Sequence, residues 1–177
     1  PYAIMTDCCT HAIELCLRHD AIDKTHFTPF TYLSIPMLMH KLGIEYTYLD
    51  EKFQNWVGEY QFANTRIWDS ARRLERNMYK SGQMQCLSFG YGKPMSIGRG
   101  GAILLDDVIA YDTILHQRYD GRDLNIKPWQ NQITFRVGYH YKPTIEEAEL
   151  GLKLLPMVNE IPKYIEYPDC RNIRIIP

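Results

Sequence analysis

Residues 85–106 constrain the fold of this chain more than any other stretch. Two apolar, β-rich runs, 85–89 and 102–105, enclose a segment that contains Gly90, Gly92, Pro94, Gly98, Gly100 and Gly101. Glycine and proline at that density end regular structure, so the stretch reads as strand, tight turn and strand. Lys93 sits inside the turn, five residues after Ser88. A lysine normally keeps its long stem and its charge in water. One chemistry that needs a confined lysine is Schiff-base formation with an aldehyde, where the amine must be aimed and able to lose its proton. The plain alternative is a β-turn with a solvated lysine.

The rest of the chain alternates strand and helix patterns. Residues 2–5 form a short apolar strand. Thr6 and Asp7 can cap a helix, and Ala12, Ile13, Cys16 and Leu17 recur at helical spacing, so 10–19 reads as that helix. A loop over 28–32 leads into a helix over 33–42, with Pro36 in its first turn and Gly43 as its stop. Residues 44–49 alternate as a strand that ends at Asp50, and 65–69 form another that ends at Asp69. Residues 70–80 are polar and arginine-rich and read as a helix, as do 108–116. Thr144 and Glu147 form a capping box that opens a further helix, which Pro156 stops. This alternation predicts a single three-layer α/β/α domain over residues 1–177, with a mainly parallel sheet. In such sheets ligands bind beyond the carboxyl ends of the strands, where Asp69 and the turn before Thr10 both fall.

Composition narrows the function. At 177 residues, 45% hydrophobic and 23% charged, the chain is globular, and a net charge of -1 gives no footprint for nucleic acid or an anionic membrane. No apolar run approaches the ~20 residues of a membrane helix. Five cysteines without a regular framework point to reduced thiols and a cytoplasmic setting. Cys8, Cys9 and His11 lack the spacing of a zinc site, so no metal is expected. The chain opens on Pro1 and shows no signal-peptide pattern, which leaves an upstream segment open.

Two nucleotide motifs fail. Met95 stands where a dinucleotide fingerprint needs its third glycine, and Lys93 lacks both the upstream glycine and the following Ser or Thr of a P-loop. A different constellation fits. A helix start after residue 7 offers free N–H groups to a phosphate. The loop at 30–32 supplies an aromatic face, Asp69 a carboxylate and Lys93 an amine. Those four parts are what pyridoxal phosphate requires.

These motifs resemble the DegT/DnrJ/StrS family of fold-type I, pyridoxal-phosphate-dependent sugar aminotransferases. The family's Ser-Gly-Thr-Ala-Ala-Leu helix start matches residues 8–13, and its Pro-x-Phe-Thr loop matches 28–32. Its helix, glycine and strand ending in Asp match 33–50, and its Ile-x-Asp-x-Ala-Gln motif matches 67–72. Its Ser-Phe-x-x-x-Lys and Gly-x-Gly-Gly-Ala motif matches 88–102. The Arg-Asn-His-Gly-Arg and Gly-Tyr-Asn-Tyr-Arg-Met-Ser motifs resemble 117–123 and 138–144.

The resemblance implies that Lys93 binds the cofactor covalently and shuttles the proton, that Asp69 pairs with the pyridine nitrogen, and that Tyr32 stacks on the ring. It implies that Thr10, the His11 backbone and Ser88 hold the phosphate, that Arg72 reaches the cofactor's 3′-oxygen, and that His140 comes from the other subunit of a homodimer. The implied reaction moves an amino group from an amino acid, glutamate by expectation, to a keto sugar nucleotide. Cys9, Arg72 and His140 replace the family's Gly, Gln and Asn, and the small C-terminal domain is expected to be absent. Two readings therefore stay open: the enzyme, or a cofactor-free relative with a structural or binding role. Plainer roles also stand beside the implied ones: Asp69 as a helix cap, Tyr32 as core, His140 as a surface histidine, and Arg72, Arg73 and Arg76 as a solvated helix face.

Overall fold

In the computed structural model of the chain, which describes residues 1–49, 58–158 and 167–176, a five-stranded sheet lies between two apolar layers. Strand β1 (Tyr2–Thr6) leads into α1 (Cys9–His19), and β2 (Lys24–Phe27) into α2 (Ser34–Leu42), followed by β3 (Glu45–Tyr48). Then come β4 (Tyr60–Gln61), β5 (Ile67–Asp69), β6 (Met84–Ser88), β7 (Gly101–Leu105), α3 (Val108–Gln117) and α4 (Ile145–Leu154). The main sheet runs β1-β7-β6-β5-β4, and β2 and β3 form a separate parallel pair. Asp50, the expected end of one strand, lies outside the described residues.

Alternation along the strands sorts the side chains between the layers. Ile4, Met84, Cys86, Ile103 and Leu105 point to the face covered by α1, α2 and α3, where Ile13, Leu17, Met39 and Ile114 are fully buried. Leu87 and Ala102, one residue out of step, point to the opposite face with Leu74, Met78, Phe89 and Met95, and Leu154 of α4 packs there too.

Two expectations need correction. The main sheet is mostly antiparallel: β1–β7, β6–β7 and β4–β5 are antiparallel and only β5–β6 is parallel. The cause is the connection over residues 89–100. It holds no helix, so the chain turns straight back beside β6 instead of crossing over to enter parallel to it. Residues 70–80 are turns, not a helix. Their backbone N–H groups are diverted: Ala71 N–H bonds the Asp69 carboxylate, Arg72 N–H the Gly58 carbonyl and Arg73 N–H the Ser70 carbonyl. Asn77 is left-handed (φ 58°), and Arg73 turns its guanidinium onto the buried Glu59 instead of into solvent. The capping box forms as expected, with Glu147 N–H donating to Thr144 Oγ1 at 3.2 Å and Thr144 N–H to the Glu147 carboxylate at 2.8 Å. Among the described residues no helix is long and apolar enough to cross a membrane.

Candidate active site

The carboxyl ends of β5 and β6 and the start of α1 converge on one cleft of about 380 Å³, within the ~300–1,000 Å³ range of small-molecule sites. Thr10, Tyr32, Asp69, Arg72, Ser88 and Lys93 all line it, so residues up to 83 positions apart in sequence share one space. The first turn of α1 forms one wall. Its N-cap, Cys8, makes no side-chain cap, so the first backbone N–H groups of the helix face a site suited to an anion. Glycine makes this approach possible: a Cβ on Gly101 would lie 2.5 Å from the Cys8 carbonyl carbon. Thr10 is braced across the wall by Ser34, Oγ1 to Oγ at 2.8 Å.

Asp69 ends β5 and is buried. Its Oδ1 accepts from Ala71 N–H and its Oδ2 from the Tyr60 hydroxyl, both at 2.9 Å. That phenol also meets Thr31 Oγ1 at 2.6 Å, and since its one proton goes to Asp69, Thr31 donates to it. Burial pushes the Asp69 carboxyl above the usual aspartate range, while these two bonds and the positive charge of Lys93 pull it back down. Such a half-compensated buried carboxylate is a strong partner for a cationic ring nitrogen.

Lys93 is set by a tight turn in which its N–H donates to Gly90 O and Gly92 is left-handed (φ 71°). Its Nζ donates to the Tyr167 hydroxyl at 3.2 Å, and Arg72 Nε donates to the same oxygen at 3.0 Å. Tyr167 arrives from the C-terminal segment, which docks on the 28–32 loop through Cys170 N–H on Pro29 O (2.9 Å) and a bridge between Phe30 and Asp169. The ring of Tyr32, which is 61% exposed, stands 6.4 Å from that of Tyr167. Tyr32 therefore offers a free face instead of filling the core. Arg72 is a cleft residue, not part of a solvated helix face.

Two side chains lie off the cleft wall: His11, expected to contribute only its backbone, and His140, expected to come from a second subunit. The His11 side chain bonds Asp7 Oδ1 at 2.7 Å and stacks on Tyr141 at 3.7 Å. His140 is exposed and bonded to Asp120 at 3.1 Å, away from the cleft of its own chain. Conversely, Tyr60 and Tyr167 belong to the site but carry no sequence signal, and Thr31, part of the matched loop, gains a role the motif did not assign. Tyr60 lies on a two-residue strand, and Tyr167 is 74 positions from Lys93.

The parts present suit pyridoxal phosphate. A buried carboxylate, a confined amine, an exposed aromatic face and an open helix N-terminus surround one cavity of adequate size. Comparison with known proteins agrees. The chain is similar in structure to a DegT/DnrJ/EryC1/StrS aminotransferase from Brucella abortus (TM-score 0.72, 16% identity, 89% of this chain and 54% of that one). It is also similar to the sugar aminotransferase CalS13 from Micromonospora echinospora (0.70, 14%, 89% and 56%). A third likeness is to Spr1654 from Streptococcus pneumoniae in its PMP form (0.70, 16%, 89% and 57%). The chain thus has the type I aminotransferase fold and spans a little over half the length of these proteins. No curated protein matches it by sequence. The sequence profile of one family matches residues 70–163, more than half of the chain. This chain belongs to the DegT/DnrJ/EryC1/StrS aminotransferase family.

Proposed function

We propose that this chain is the cofactor-binding part of a pyridoxal-phosphate-dependent aminotransferase that moves an amino group from an amino acid, glutamate in our reading, to a keto sugar nucleotide. The observation that carries the proposal is the convergence of Lys93, Asp69, Arg72 and the α1 N-terminus on one cleft. When bound, the cofactor supplies an electron sink that stabilises a carbanion next to the transferred nitrogen. Lys93 is the amine that holds the cofactor and, once released, the base that carries the proton between carbon atoms. Asp69 holds the ring nitrogen protonated, and the Thr31–Tyr60 relay keeps its oxygens aimed. Tyr32 lies against the ring. Thr10, Ser88 and the N–H groups of residues 9–11 bind the phosphate, and Arg72 bonds the 3′-oxygen.

His140 of the partner subunit completes the phosphate site in a homodimer. In support of that dimer, Ile133, Val137, Ile145 and Leu152 leave apolar surface exposed on one chain. The protein is read as cytoplasmic, with five free cysteines as the basis.

The test is absorbance after addition of pyridoxal phosphate, followed by borohydride reduction and peptide mapping. A visible band and a covalent label on Lys93, lost in Lys93→Ala with the fold intact, support the enzyme. Absence of the band would favour a cofactor-free relative, with Tyr167 filling the cleft. Labelling of another lysine would refute the assignment.

A further inference from the structure

Cys8, His11 and Asp7 form a cluster that the aminotransferase reading does not use. We propose that Cys8 is a reactive thiol, oriented by His11 and Asp7, whose substrate is a hydroperoxide and whose oxidation alters the wall of the cleft. The Cys8 sulfur, an imidazole nitrogen of His11 and a carboxylate oxygen of Asp7 all lie within 4.8 Å of one another. This is a nucleophile, a proton carrier and an orienting acid in sequence. Cys8 is the one cysteine of the five that is not buried, and it lines the cleft. Cys9, Cys16, Cys86 and Cys170 are buried, and burial pushes the Cys9 and Cys86 thiols well up, so they are inert.

The surroundings favour a thiol site over a metal site. Both Asp7 oxygens are taken, Oδ1 by His11 at 2.7 Å and Oδ2 by the Arg99 guanidinium at 2.6 Å. A metal ion would have to displace one cation and sit beside the other. The groups that face His11 are Asp7 and Cys8 from the turn before α1, Arg99 across Asp7, and the Tyr141 ring stacked on it. Burial pulls the imidazole down, but bonds to Asp7 and Cys8 outweigh it and hold the imidazole protonated up to about pH 9.

In the reaction the Cys8 thiol gives up its proton to solvent and the sulfur attacks one peroxide oxygen. An S–O bond forms and the O–O bond breaks. Sulfur loses two electrons to the peroxide, and the leaving hydroxide takes the His11 proton and departs as water. The product is a sulfenic acid on the cleft wall.

The experiment treats the chain, free of added cofactor, with hydrogen peroxide, traps sulfenic acid with dimedone and maps the adduct by mass spectrometry. A single adduct on Cys8 is expected, formed about tenfold faster than in the urea-unfolded chain, slowed about tenfold in His11→Gln and abolished in Cys8→Ser. Should His11→Gln fail to fold, the wild-type rate should still fall above about pH 9 as His11 loses its proton. The proposal is overturned by adducts on other cysteines, by a rate equal to that of the unfolded chain, by no response to His11→Gln, or by zinc at equimolar level blocking the reaction. Because no cofactor is present, failure here leaves the aminotransferase reading untouched.

Discussion

Tyr60→Phe removes one oxygen from the cleft and tests the electrostatic account of Asp69. In the folded chain Asp69 has two donors, the Tyr60 hydroxyl and Ala71 N–H, each at 2.9 Å. The substitution leaves one, keeps the ring in the core and orphans Thr31 Oγ1, whose partner at 2.6 Å disappears. A hydrogen bond to a buried charged group contributes roughly 1.5–3 kcal/mol, so a loss of that size is expected at neutral pH. The same lost donor raises the Asp69 carboxyl further, because one of the bonds that favour its charged form is gone. The sign is set by its raised starting point. Ionisation of Asp69 costs stability, which is greatest below the usual aspartate range and is lost as pH rises through the higher folded value. Tyr60→Phe therefore destabilises most where Asp69 is ionised and least where it is protonated. Urea unfolding at neutral and acid pH, with the Asp69 carboxyl carbon followed by NMR, reads both quantities. Equal destabilisation at both pH values, or an unmoved Asp69 titration, would refute the reasoning.

Two further outcomes are expected from the same kind of contact. Asp69→Asn should stabilise the cofactor-free chain by about 1–2 kcal/mol at neutral pH, because the amide can donate to Tyr60, which then donates to Thr31, and no charge stays buried; amino transfer should collapse in the same variant, and a melting temperature equal to or below wild type would contradict this. Glu14 is buried yet held below the usual glutamate range, for although burial raises it, bonds from Lys41 (2.8 Å) and Arg18 (2.9 Å) prevail. Its contribution is present above the ordinary glutamate value and lost as pH falls through the lower folded one. Glu14→Gln should cost about 1.5–3 kcal/mol at neutral pH and flatten the acid limb of a stability–pH profile.

The local grammar of the chain was legible in sequence because each signal is decided by a few neighbouring residues. Thr144 and Glu147 close their capping box within one turn, Gly43 ends α2 in the left-handed region, and Gly90, Gly92 and Pro94 hold Lys93 in its turn. The position of Asp69 at a strand end was legible too, whereas the strand read over 85–89 ends one residue earlier, at Ser88. Strand direction was decided only by the tertiary structure. Whether β7 returns antiparallel to β6 depends on the path of the 89–100 segment, which propensity does not encode. Residues 70–80 are polar and arginine-rich like a solvated helix, yet the Asp69 carboxylate, Gly58 and buried Glu59 draw off their backbone and side-chain partners. Tyr60 and Tyr167 became site residues for the same reason. Their chemistry is that of any tyrosine, and only long-range packing brings one phenol to Asp69 and the other between Arg72 and Lys93.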